Sequence, residues 1–132
     1  MKDLELTIYG TPRSKKNSQQ IIRVGGKPRL IQSKAYREYE KDAVKQIEDA
    51  HKTWHIDYPC NVKCIFYRPT RIRCDLTNLL EAIDDILVKA GVLQDDNWKI
   101  IVAHDGSRIR FDPVAPRTEV FITELREDAD LQ

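Results

Sequence analysis

Residues 71–91 read Arg71-Ile72-Arg73-Cys74-Asp75-Leu76-Thr77-Asn78-Leu79-Leu80-Glu81-Ala82-Ile83-Asp84-Asp85-Ile86-Leu87-Val88-Lys89-Ala90-Gly91. Placed at about 100° per residue from Asp75, the apolar side chains Leu76, Leu79, Leu80, Ile83, Ile86, Leu87 and Ala90 fall within about 20–140°. That stripe predicts a core-facing helix over residues 76–90, with Gly91 as its stop. Asn78, Glu81 and Asp85 fall at about 300°, 240° and 280°, on the opposite side. Asp75 stands at the helix start, where its carboxylate can either cap backbone N–H groups or point into a site. The acidic pair Asp95-Asp96 follows the helix, and the basic residues Arg68, Arg71 and Arg73 precede it.

The residues upstream of this segment predict a strand over 62–68. Val62, Cys64 and Phe66 share one face of it, and Lys63, Ile65 and Tyr67 the other. Partly apolar character on both faces marks a central strand, which Pro69 ends. Further upstream, Ser33 is positioned to cap a helix over 34–52, whose residues Tyr36, Tyr39, Ala43, Val44, Ile47 and Ala50 recur at helical spacing. Residues 21–24 and 29–31 flank Gly25-Gly26 as a hairpin, and Pro28 makes one of its strands short or an edge. Leu4, Leu6 and Ile8 alternate as in a half-buried strand, followed by a turn-rich basic loop from Gly10 to Ser18. Downstream, residues 98–103 and 119–125 read as strands, 108–111 as an extended piece of a turn-rich connection, and 127–132 as a frayed acidic tail. The expected fold is an α/β (α+β) domain spanning 1–132, a small mixed β-sheet covered by two helices.

The 132 residues are 41% apolar and 33% charged, as in a soluble globular protein. No apolar run approaches the ~20 residues of a membrane span. Acids occupy the N-terminal positions where a signal peptide would be apolar, so a cytoplasmic location is expected. Cys60, Cys64 and Cys74 form no CxxC pair, and His51, His55 and His104 show no ligand spacing around them. Ordinary reduced thiols are expected rather than a zinc site. The net charge of +1 is unevenly spread. Residues 6–37 carry eight cations, among them Arg13, Lys15 and Lys16, and no acid. This segment is therefore a candidate phosphate-binding surface, or else a solvated loop and hairpin.

Phosphodiester hydrolysis needs the phosphate charge neutralised, a water activated and the leaving oxygen stabilised. Carboxylates that hold Mg²⁺ with open coordination positions provide all three. Asp75 and Asp95-Asp96 could come together in this way if the helix returns the chain beside its own strand, with Arg71 and Arg73 gripping phosphate oxygens. The competing readings are an N-cap, a turn pair and a structural charge network.

The order Arg71-Ile72-Arg73-Cys74-Asp75-Leu76-Thr77-Asn78-Leu79, Asp85-Ile86-Leu87, Ala90-Gly91 and Asp95-Asp96 resembles the RusA family of Holliday junction resolvases. The Gly10–Asn17 loop is also similar to that family's loop after strand one. The resemblance implies a RusA-like fold and a small homodimeric endodeoxyribonuclease of bacterial or phage origin. It implies paired nicks across four-way DNA junctions with Mg²⁺ or Mn²⁺. Its acidic positions correspond to Asp75, Thr77 and Asp96, with Asn78, Asp85 and Asp95 at further recurrent polar positions. Two departures stand out. Thr77 replaces a carboxylate, and Glu81 stands where a lysine is frequent. Glu81, one turn beyond Thr77, is expected to stand in for the missing acid. A branched-DNA binding protein with weakened or no cleavage is the alternative.

Overall fold

A computed structural model of the chain describes residues 3–15, 19–50 and 54–125. The elements run β1 (Asp3–Tyr9), β2 (Gln19–Val24), β3 (Lys27–Gln32), α1 (Lys34–Ala50), β4 (Cys60–Arg68), α2 (Leu76–Lys89), β5 (Ile101–Ala103), β6 (Arg108–Phe111) and β7 (Arg117–Glu124). The architecture is the expected mixed α+β one. The main sheet is ordered β1-β7-β4-β5, with β6 also paired to β4, while β2 and β3 form a separate two-stranded ribbon. β7 lies antiparallel to both β1 and β4, whereas β5 and β6 lie parallel to β4. Parallel neighbours need a crossover, and α2 provides it.

Register explains how one face of the sheet becomes core. Val62 pairs with Ile122 and Cys64 with Val120, while on the other side Leu4 pairs with Ile122 and Leu6 with Val120. Paired residues share a face, so these side chains form one apolar surface. Ala43 and Ile47 of α1 and Leu79, Ile83, Ile86 and Leu87 of α2 are buried in the same cluster. Both helices therefore cover that one face. On the other face Lys63 lies over the Phe121 ring at 5.1 Å and Arg117 over Tyr67 at 3.8 Å. Cys60 and Cys64 are buried free thiols.

Local chemistry sets the helix ends. Ser33 Oγ accepts a hydrogen bond from Tyr36 N at 3.1 Å, the cap expected for α1 and worth about 1 kcal/mol. At the end of α2, Gly91 N donates to Val88 O at 3.0 Å and Val92 N to Leu87 O at 3.0 Å. That pattern requires a left-handed residue, and Gly91 adopts φ 81°. The reversal buries Val92 and Leu93 and pairs Leu93 with Ile56.

One sequence expectation changes here. Residues 98–100 are a turn, and the strand begins only at Ile101. Asn97 is the cause. Its Oδ1 accepts from Lys99 N at 2.9 Å, and its carbonyl accepts from both Ile100 N at 3.0 Å and Ile101 N at 2.9 Å. This local bonding overrides the β-propensity of Trp98 and Ile100, and Trp98 is left exposed. At the sheet edge the expected extended piece at 108–111 forms, after a turn-rich interval. The partner of β4 is broken between Ala103 and Arg108, with Gly106 at φ 87°. Side chains from the break satisfy the exposed ladder groups of β4. His104 Nδ1 donates to Val62 O at 2.7 Å, and Ser107 Oγ accepts from Cys64 N at 2.9 Å. Asn61 clamps Asp105 through both of its amide atoms.

The expected acidic tail at 127–132 and the last residues of the first expected helix, 51 and 52, lie outside the described residues. Among the described residues no helix is long and apolar enough to cross a membrane.

Candidate active site

The flank of α2 between its apolar stripe and its outer face bounds a concavity of about 270 Å³, lined by Thr77, Leu80, Glu81, Asp84, Asp96 and His104. The helix explains the set, because Leu80, Asp84, Thr77 and Glu81 stand at about 140°, 180°, 200° and 240° from Asp75. The turn after Gly91 brings Asp96 to the same place, and the edge-strand break brings His104.

Asp95 and Asp96 divide their labour. Asp95 Oδ1 accepts from Asp96 N at 2.7 Å and its Oδ2 from Asn97 Nδ2 at 3.1 Å. These bonds, the Asp96 backbone amide first, hold Asp95 below the usual carboxylate range. Asp96 moves the other way, through desolvation first and then its neighbours Asp95 and Asp85. Asp95 thus ties the turn, and Asp96 lines the concavity.

Asp75 caps α2 through its backbone alone, its side chain making no capping hydrogen bond. Its exposed carboxylate is approached only loosely by Asn78 Nδ2, at 3.4 Å. The cap reading of this side chain is therefore not realised. Asp75 is not among the residues lining the Asp96 concavity.

Asp84 and His104 carry a pairing that periodicity did not single out. His104 Nε2 lies 2.9 Å from Asp84 Oδ2. Because the Val62 carbonyl can only accept, Nδ1 carries a proton, and the Nε2–Oδ2 contact holds one more. Burial raises the Asp84 carboxyl against the lowering influence of His104. Burial opposes protonation of His104, but Asp84 and the Val62 carbonyl outweigh it and the net shift is upward. The remaining oxygen, Asp84 Oδ1, is buried with no hydrogen-bond partner.

A second concavity, of about 300 Å³, is basic. Arg68, Thr70, Arg71, Ile72, Arg73, Cys74, Ile109, Arg110 and Phe111 line it. The Arg71 guanidinium stacks 4.2 Å from the centre of the Phe111 ring. Arg68 is anchored to Ile72 O at 2.9 Å, while its buried Nε has no partner. Arg71 and Arg73 were candidates from sequence; Arg110 and Phe111 join them because β6 pairs in parallel beside Arg68.

Of the basic loop after β1, Arg13 is exposed and Lys15 forms an ion pair with Asp85 that docks the loop onto α2. Lys16 lies outside the described residues.

A family model described as endodeoxyribonuclease RusA matches residues 9–123. The chain belongs to the RusA family. A relative named crossover junction endodeoxyribonuclease RusA, from Aquifex aeolicus (strain VF5), is 30% identical over 97 residues, covering 74% of this chain and 75% of that protein. Both concavities of the RusA-family chain are built from residues within the matched span.

A divalent metal is the cofactor that RusA-family membership implies. Among the described residues no three Asp, Glu, His or Cys side chains converge into a closed metal cage. The donors nevertheless suit a hard cation. Carboxylate and hydroxyl oxygens share one concavity, and one buried carboxylate oxygen there lacks a partner. Mg²⁺ typically keeps several waters and takes only one or two protein carboxylates, so an open oxygen site is the kind it uses.

Proposed function

We propose that the chain, as one RusA-like domain over 1–132, is a metal-dependent endodeoxyribonuclease. In this reading it resolves four-way Holliday junctions by paired nicks in DNA recombination and repair, inside a bacterial or phage-infected cell. The observation that carries this reading is the acidic concavity formed by Thr77 and Glu81 of α2 with Asp96 of the following turn, on the helix that directly follows the arginine segment. The Aquifex aeolicus relative, named as a crossover junction endodeoxyribonuclease, supports the junction as substrate.

When bound, Mg²⁺ or Mn²⁺ would neutralise the scissile phosphate, activate water and stabilise the leaving oxygen. Asp96 and Asp75 are the residues to hold it, with Asp95 fixing the turn that presents Asp96. Glu81, on the same wall as Thr77, serves as the catalytic carboxylate beside them, and Asn78 and Asp85 support the helix surface. Arg71 and Arg73 grip backbone phosphates, joined by Arg13, Lys15 and Lys16 of the basic sequence after β1. Such contacts position DNA without reading its bases.

A homodimer matches the near two-fold symmetry of a junction and would cut both strands. The β2–β3 ribbon offers a surface for it, because the cross-strand pair Ile21 and Leu30 is 73% and 63% exposed.

The test is incubation of synthetic junction, duplex and single-stranded DNA with and without Mg²⁺. Metal-dependent nicking confined to the junction is expected. The second reading, a binder of branched DNA, is favoured by the hydroxyl at Thr77 where a carboxylate would add negative charge. It predicts a gel shift of the junction that stays intact at any Mg²⁺ or Mn²⁺ concentration.

Replacing Arg71 and Arg73 together by Ala should weaken binding to all DNA forms alike. Each lost phosphate contact should reduce the slope of log affinity against log salt by about 0.9 for duplex arms. An unchanged slope in fluorescence-anisotropy titrations would remove these arginines from the interface.

A further inference from the structure

We propose that Asp84, held in place by His104, is a further divalent-cation ligand of this site. The assignment deepens the metal-dependent reading above and rests on it.

Three observations converge on Asp84. Its Oδ1 is buried without a hydrogen-bond partner. A buried carboxylate oxygen left unpaired is costly, so this position suits a ligand that would pair it. Second, the side chain lines the same concavity as Thr77 and Asp96. Asp84 follows Thr77 by two helical turns and therefore projects along the same flank of α2. Third, the other oxygen is already occupied, by His104 Nε2 at 2.9 Å. His104 is in turn locked by its Nδ1 bond to Val62 O at 2.7 Å. Ligating carboxylates are commonly oriented by just such an outer hydrogen bond.

Charge supports the same conclusion. Within this concavity Thr77 offers only a neutral hydroxyl, beside the carboxylates of Glu81 and Asp96. Asp84 supplies a further carboxylate on the Thr77 flank of the helix, an oxygen donor of the kind a hard cation takes. His104 is a positioning residue here, acting through Asp84. Its place in the edge-strand break is what allows a residue from the sheet to reach the helix flank.

The competing role is a plain brace between α2 and the sheet edge, which would change melting temperature and leave cation affinity alone. Titration of the full chain with Mn²⁺, followed by the electron paramagnetic resonance signal of free Mn²⁺, separates the two without any nuclease assay. Asp84→Asn should weaken Mn²⁺ binding at least about tenfold, and His104→Leu about tenfold. His104→Gln, whose amide can still donate to Oδ2, should recover most of the loss. Wild-type affinity in Asp84→Asn together with lost affinity in Asp96→Asn would overturn the assignment and leave the metal site standing. Absence of Mn²⁺ binding by the wild type would overturn both. Should Asp84→Asn fail to fold, equal affinities of wild type and His104→Leu would overturn the proposal just as directly.

Discussion

Asp96→Asn should reduce junction nicking by more than about a hundredfold while the protein stays folded and still binds the junction. Outer-shell partners of a metal site already cost about 10–100-fold when removed, and a direct ligand should exceed them. A hundredfold loss corresponds to about 2.7 kcal/mol of transition-state stabilisation. Stability should barely change. Asp96 is exposed, and its carboxyl is raised by desolvation and by the acids Asp95 and Asp85. Its ionised form is therefore held at a disadvantage in the fold, and a neutral amide removes that disadvantage. A surface change of this kind normally stays within about 0.5 kcal/mol. Single-turnover cleavage beside circular dichroism melting checks both halves. Wild-type nicking by the variant would exclude Asp96 from the chemistry.

Phe66→Ala should have the largest effect on stability, about 3–5 kcal/mol. Phe66 is 1% exposed and sits on β4, between Thr118 of β7 and Ile109 of β6. The cavity would open in the strand that three others use as their pairing partner, so little of it can collapse. With a whole-domain stability of about 5–15 kcal/mol, that is a large share. The melting temperature should fall by roughly 10–20 °C for a domain of this size. A drop of only a few degrees would mean that the sheet repacks around the gap. DNA affinity should also weaken near the new melting point, since β4 leads directly into Arg68 and the arginine loop.

Much of this architecture is legible from local chemistry. The apolar stripe of α2, the cap at Ser33, the stop at Gly91 and the hairpin at Gly25-Gly26 each depend on residues close in the chain, and each appears as expected. The exception among local features is residues 98–100, where hydrogen bonds accepted by the Asn97 side chain and carbonyl outcompete a β-prone run. What periodicity hides is the flank of a helix. Asp84 lies between the stripe and the outer face, so sorting residues into two sides passes over it. Its partner is 20 residues away on another element. Lys15 reads from sequence only as a candidate phosphate-binding cation, because Asp85, its partner, lies 70 residues downstream. His104 carries no ligand spacing, and only the register of β5 and β6 against β4 gives it a role.

The broken edge also limits what can add to the main sheet. A continuous outer strand would offer a row of unpaired N–H and C=O groups to any passing extended chain. Here the outer ladder comes in pieces of three and four residues. The interval between them bends at Gly106, and charged Arg108 and Arg110 follow on the second piece. The same interruption that delivers an imidazole to the helix flank thus denies this side of the sheet to strand-by-strand polymerisation. Filling it with a regular β-branched run would be expected to favour aggregation.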